Sequence, residues 1–142
     1  MKTPLLNMKI KFYLNKEFKK IAKRYNLSLI LAFGSYVTNK IHPNSDLDIA
    51  VLSKKDFNDY KEYCDLLSNL SKLFPEKEID LVFINHADPL LLKKILESCQ
   101  LLYGSKKELA KLKMYSFKKY CDYRRYLDLE RRFVHKFVKE FK

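Results

Sequence analysis

Apolar side chains recur along this chain in two rhythms, one of three to four residues and one of two, and these divide it into helices and strands. Phe18, Ile21, Ala22 and Tyr25 form one stripe, which predicts a helix over Lys16–Tyr25 with Asn15 as its N-cap. Ser28–Phe33 is apolar after its first residue and reads as a buried strand that stops at Gly34. A short helical turn can start from Ser35, and His42-Pro43-Asn44-Ser45 is loop chemistry. Leu47, Ile49 and Val51 then alternate with Asp46, Asp48 and Ala50. That is a half-buried strand with both carboxylates on one face.

The helical rhythm returns with Phe57, Tyr60, Cys64, Leu67 and Leu70, up to about Phe74. Glu78–Ile84 predicts a third strand. Asp88 caps the next helix, with Pro89 in its first turn and Leu92, Ile95 and Leu96 on its apolar side; Tyr103-Gly104 ends that segment. Ser105 and Glu108 fit a capping box, so a last helix begins there. Leu109, Leu112, Tyr120, Tyr123, Leu127, Val134, Phe137 and Phe141 continue it at spacings of three and four, with a break near Ser116. No glycine or proline interrupts residues 105–142. One or two long helices result, with more aromatic surface than a single face needs, as in an element that docks on the core or on a partner.

Composition narrows the class. A chain of 142 residues with 47% apolar side chains supports one domain. We divide it into a core over residues 1–104 and a helical extension of the same domain over residues 105–142. Nothing reads as a signal peptide or a membrane span: the longest candidate, Leu27 to Phe33, is strand-length and interrupted by Ser28. Cys64, Cys99 and Cys121 are odd in number and lack CxxC spacing, so free thiols in the cytoplasm are expected rather than a disulfide framework or a zinc site. The net charge is +12, and residues 105–142 hold two-thirds of the excess, with 13 basic and 5 acidic side chains. Because 24 of the 29 basic residues are lysine, a solvated basic face is preferred over direct RNA binding.

The chemistry lies in LILAFGSYVTNKIHPNSDLDIAVL. Gly34 lets backbone approach a ligand without a Cβ in the way, and Ser35 offers a hydroxyl and backbone N–H groups to an anion such as a nucleotide phosphate. Asp46 and Asp48, at i and i+2 on a strand, point the same way with alpha carbons about 6.5–7 Å apart. Like charges so placed repel until cations bridge them. Magnesium suits the pair, since it takes one or two protein carboxylates and keeps positions for phosphates. Two such ions clamp the attacking and leaving oxygens of an in-line displacement. A third carboxylate is needed to hold the second ion and to help deprotonate the nucleophile. Asp80, between apolar neighbours on the third strand, is favoured over Glu78 on the same face.

Gly-Ser, ten residues, Asp-x-Asp and a later strand aspartate together resemble the polymerase-beta-like nucleotidyltransferase superfamily. The small size, and the stretch EIDLVFINHADPLLLKKILESCQLLYG from Glu78 to Gly104, resemble the minimal nucleotidyltransferase antitoxins of HEPN/MNT toxin–antitoxin modules. The resemblance covers residues 28–104 and the remainder only in general character. It implies an α+β fold, a small mixed β-sheet flanked by helices, with a C-terminal helix or helices. It further implies that Gly34 and Ser35 contact the nucleotide phosphates, and that Asp46, Asp48 and Asp80 hold two magnesium ions as the catalytic triad. The implied reaction transfers AMP from ATP to a tyrosine of a partner HEPN ribonuclease toxin, silencing it. Two alternatives remain: an antitoxin that neutralises by binding alone, and a nucleotidyltransferase acting on a small molecule. Many members carry arginines and a second glycine after the Gly-Ser pair, where this chain has Tyr36-Val37-Thr38-Asn39-Lys40. Lys40 is then the only cation left nearby for the nucleotide phosphates.

Other residues take plainer readings. Arg131 and His135 lie one helical turn apart, closer than the Arg…His pair of HEPN ribonucleases, and belong to a solvated face. His42 is read as an ordinary loop residue and His86 as part of a turn. The aromatic set Tyr115, Phe117, Tyr120, Tyr123 and Tyr126 could stack bases, but at helical spacing it is read as packing.

Overall fold

The computed structural model describes residues 8–38, 46–57 and 59–141. Helix α1 (Met8–Tyr25) leads into strand β1 (Leu27–Phe33), and the short helix α2 (Ser35–Thr38) comes next. Then come β2 (Leu47–Ser53), α3 (Tyr60–Leu73), β3 (Ile79–Phe83), a 3-10 turn (Ile84–His86), α4 (Pro89–Glu97), β4 (Cys99–Tyr103) and α5 (Lys106–Glu140). The strands form one mixed sheet in the order β3-β2-β1-β4. β1 pairs antiparallel with β2 and with β4, while β2 and β3 run parallel. The fold is the expected α+β one, a small sheet with helices on both faces.

Strand alternation sends side chains to two cores. Ile30, Ile49, Val51 and Leu81 face Phe18, Ile21 and Ala22 of α1 and Leu66 and Leu70 of α3. Leu29, Leu31, Phe33 and Ala50 face Leu92, Ile95 and Leu96 of α4 and Leu112 of α5. β1 is an internal strand covered on both faces, which explains its nearly unbroken apolar run. Each fully buried Leu, Ile or Phe contributes about 1.5–3 kcal/mol relative to exposure. The far end of the parallel pair is tied by Asn85 of the 3-10 turn. Its side chain accepts from Ser53 N at 2.9 Å and donates to Ser53 O at 2.9 Å.

Several boundaries differ from expectation. Asn15 is interior to α1 rather than its cap, because Met8–Leu14 holds no glycine or proline and each added residue gains a hydrogen bond. Asn26 (φ 54°) ends that helix in the left-handed region. The third strand is shorter than Glu78–Ile84: Glu78 lies just before it, its carbonyl accepting from Leu47 N, and Ile84 begins the 3-10 turn. β4 was not expected at all. The apolar run of α4 flows into it across Ser98 alone, with no glycine or proline between them. The caps at Asp88 and Ser105 are as expected, accepting from Leu91 N at 2.8 Å and Glu108 N at 3.1 Å. α5 is a single helix, and Ser116 is a buried position of it rather than a break. Among the described residues, no helix is long and apolar enough to cross a membrane.

Candidate active site

Three strand ends meet a glycine at one edge of the sheet. Phe33, the last residue of β1, pairs with Asp48 of β2, and Asp48 pairs in turn with Asp80 of β3. Asp48 and Asp80 share the strand phase of Ala50 and Val82, which point to the core under α4. Asp46 lies just before β2.

Gly34 comes after Phe33 with φ +77°, in the left-handed region. A Cβ there would stand 2.1 Å from Asp48 Oδ2 and 3.1 Å from its Cγ. Both the backbone and the neighbouring carboxylate therefore require glycine. Val37 N donates to Gly34 O at 3.1 Å, closing the turn that opens α2 at Ser35.

Asp48 is half-buried, whereas Asp46 and Asp80 are exposed. Burial pushes the Asp48 carboxyl above the usual carboxylate range, and the charges of Asp80 and then Asp46 push it further. Lys94 of α4 acts in the opposite direction. Half-buried and next to two like charges, the carboxylate would be stabilised by an added cation. All three donors are hard carboxylate oxygens, so the set fits magnesium. Among the described residues no three His, Cys, Asp or Glu side chains already stand together as a metal-binding group. Asp46 and Asp80 would have to turn in toward Asp48.

Of the site residues expected from sequence, Gly34, Asp48 and Asp80 come together through strand register, with Ser35 and Asp46 directly adjacent. Glu78 lies outside β3 and is exposed. Lys40 and His42 lie outside the described residues. Two lysines from outside the stretch that follows Gly34-Ser35 also bear on this edge. The charge of Lys94 acts on the Asp48 carboxyl, and the Lys77 ammonium lies 5.5 Å from the centroid of the Tyr36 ring on α2. Nothing in the local sequence marks Lys94, which approaches only because α4 crosses that face. A cleft of about 600 Å³ lined by Lys19, Ser28, Lys54, Tyr103 and Ser105 sits at the opposite end of the strands and includes none of the three aspartates.

A mixed sheet that sets strand-borne carboxylates beside a glycine–serine turn is the arrangement of a nucleotidyltransferase. The chain belongs to the polymerase beta nucleotidyltransferase family, whose model matches residues 16–108. It is 30% identical over 82 residues to the protein adenylyltransferase MntA of Shewanella oneidensis, a match covering 58% of each chain. It thus spans under two thirds of that curated relative. A solved toxin–antitoxin structure with AMP-PNP matches at 25% identity and a TM-score of 0.68, covering 88% of this chain and 98% of that one. The fold is also that of a chain in the complex of a tri-AMPylated S. oneidensis HEPN toxin with its MNT antitoxin. There the identity is 22% and the TM-score 0.63, over 91% of this chain and 98% of that one.

Proposed function

We propose that this chain is a magnesium-dependent protein adenylyltransferase that transfers AMP from ATP to a tyrosine hydroxyl of a cognate HEPN toxin, and so acts as its antitoxin. The observation that carries the reading is the contact of Gly34 with Asp48, itself in register with Asp80. Similarity to an adenylyltransferase and to a toxin–antitoxin structure with an ATP analogue supports the donor and the partner class. Residues 1–104 form the transferase core, and residues 105–142 extend it. The three cysteines are free thiols, in keeping with a cytoplasmic protein.

In the proposed reaction the tyrosine oxygen bonds to the α-phosphorus of ATP, and the bond from that phosphorus to the bridging oxygen breaks, releasing pyrophosphate. Gly34 and Ser35 contact the phosphates, Ser35 through its hydroxyl and the backbone N–H groups of the turn it opens, with Lys40 as a further phosphate contact. Asp46, Asp48 and Asp80 would hold two magnesium ions. When bound, these supply positive charge to the phosphoryl oxygens. Asp80 accepts the proton that leaves the tyrosine hydroxyl.

Incubating the protein with labelled ATP, magnesium and the toxin tests this. Label should appear on toxin tyrosine and vanish with Asp46→Asn/Asp48→Asn, whose fold is checked by circular dichroism. An unlabelled toxin, still unlabelled at raised ATP, overturns the reading. If the double variant neutralises the toxin as well as the native chain does, binding alone is the function.

A further inference from the structure

Helix α5 is 35 residues long, about 52 Å at 1.5 Å per residue, yet only its first half is packed. Leu112 and Ser116 are buried, and the Lys93 ammonium lies 4.8 Å from the centroid of the Tyr120 ring, fastening α5 to α4. From Asp128 through Phe141 every residue is exposed. Phe133 (69%), Phe137 (51%) and Phe141 (75%) succeed one another at intervals of four, each ring against the next. The expectation that the helix aromatics serve packing therefore holds for Tyr120 and Tyr123, which are half-buried, and fails for Tyr115, Phe117 and Tyr126, which are exposed. A contiguous apolar row of this kind marks an interaction surface.

Its placement matters. α5 starts next to Gly104, which lies against Ser28 and Leu29 at the beginning of β1. At Leu112 it packs in one cluster with Phe33, Ile95 and Leu96, and it then follows α4, which leads on to Cys99, the partner of Phe33 at the carboxylate end. From Lys118 the helix runs on for about 35 Å. The unpacked half thus extends from the end of the sheet that carries Asp46, Asp48 and Asp80.

Charge selects the occupant. Residues 118–141 carry eight basic and four acidic side chains. A second copy would bring the same positive excess against itself, in a chain of net charge +12. A helix whose apolar stripe is edged by aspartate and glutamate meets no such repulsion and is attracted.

We propose that the outer half of α5 is a docking arm for the protein acceptor. It receives an amphipathic helix with acidic borders and holds that acceptor beside the carboxylate edge. The transfer of AMP after docking rests on the adenylyltransferase reading, whereas docking itself does not. The test uses the 142-residue chain and purified cognate HEPN toxin, with affinity measured by calorimetry at two salt concentrations and AMP transfer measured separately. Phe133→Glu/Phe137→Glu should weaken binding by roughly 30-fold or more, as the loss of central aromatic anchors does. Arg131→Glu/Arg132→Glu/Lys136→Glu should also weaken it and flatten its salt dependence. Both variants should keep the native circular dichroism spectrum and melting temperature. Asp46→Asn/Asp48→Asn should bind like the native chain. Toxin binding unchanged in both arm variants, or no binding by the native chain, overturns the proposal. So does a native dimer that the arm variants turn into monomer, since the occupant is then a second copy. Toxin that docks through the arm yet stays unlabelled leaves docking standing and overturns the transferase reading instead.

Discussion

The Asp48 carboxylate occupies the space that any side chain on Gly34 would need: a Cβ there would lie 2.1 Å from Oδ2. Gly34→Ala must therefore displace the carboxyl and hold a left-handed φ of +77° with a Cβ, at a cost of about 1–2 kcal/mol. Transfer should fall about 100-fold, as it does when a reacting group is misplaced by an ångström. Steady-state labelling and a urea melt of the same preparation check both effects. Full activity in the alanine variant would remove Asp48 from the site.

The same carboxylate is held in an unfavourable setting by burial, Asp80 and Asp46. Asp48→Asn removes that repulsion, so without magnesium it should melt higher than the native chain, by roughly 2–4 °C. Saturating magnesium should narrow the gap by stabilising the native chain alone. Differential scanning fluorimetry with and without the ion reads this directly. An asparagine variant that melts lower in both conditions contradicts the repulsion.

Tyr25 links α1 to α3: its hydroxyl donates to the Asp65 carboxylate and accepts from Asn69 Nδ2 at 2.6 Å. Burial and the Asp65 hydrogen bond hold its pKa above the ordinary 10.0, against the hydrogen bond from Asn69 and the charge of Arg24. A raised pKa means that the folded state retains the proton more strongly. The resulting stability is complete below about pH 10 and is lost as pH rises through the folded value. Tyr25→Phe should cost about 1 kcal/mol at pH 8 and progressively less above pH 10. Urea denaturation of both proteins from pH 8 to pH 11 measures the convergence.

The three thiols should separate by reactivity. Cys64 and Cys121 are exposed, while burial pushes the Cys99 thiol up, opposed by Lys113. Brief iodoacetamide treatment near neutral pH should modify Cys64 and Cys121 well before Cys99. Peptide mass spectrometry gives the order, and Cys99 reacting first would refute it.

Periodicity revealed most of the elements because their apolar faces are complete: Phe18, Ile21 and Ala22 on α1, and Leu92, Ile95 and Leu96 on α4, match the buried residues. Gly34, Asp46, Asp48 and Asp80 stood out for a similar reason, as charges and a glycine set among residues that must be apolar. The features that stayed hidden depend on tertiary placement. Cys99–Tyr103 is a strand because β1 offers it an edge, and Lys94 matters because α4 crosses that face. The outer half of α5 has helical periodicity throughout, and periodicity alone cannot say that Phe133 stays exposed.

β2 has Gly34 and β1 on one side and β3 on the other, and the Ser53–Asn85 pair of hydrogen bonds ties it to the turn after β3. A slip of one residue would exchange Asp48 for Leu47 or Ile49 at the glycine. On the proposed reading, a copy of the chain whose sheet has mispaired would be chemically silent as well as misfolded. Under the proposed reaction, any AMP transferred would certify that the molecule that transferred it had a correctly paired β2, and the activity would carry its own quality control.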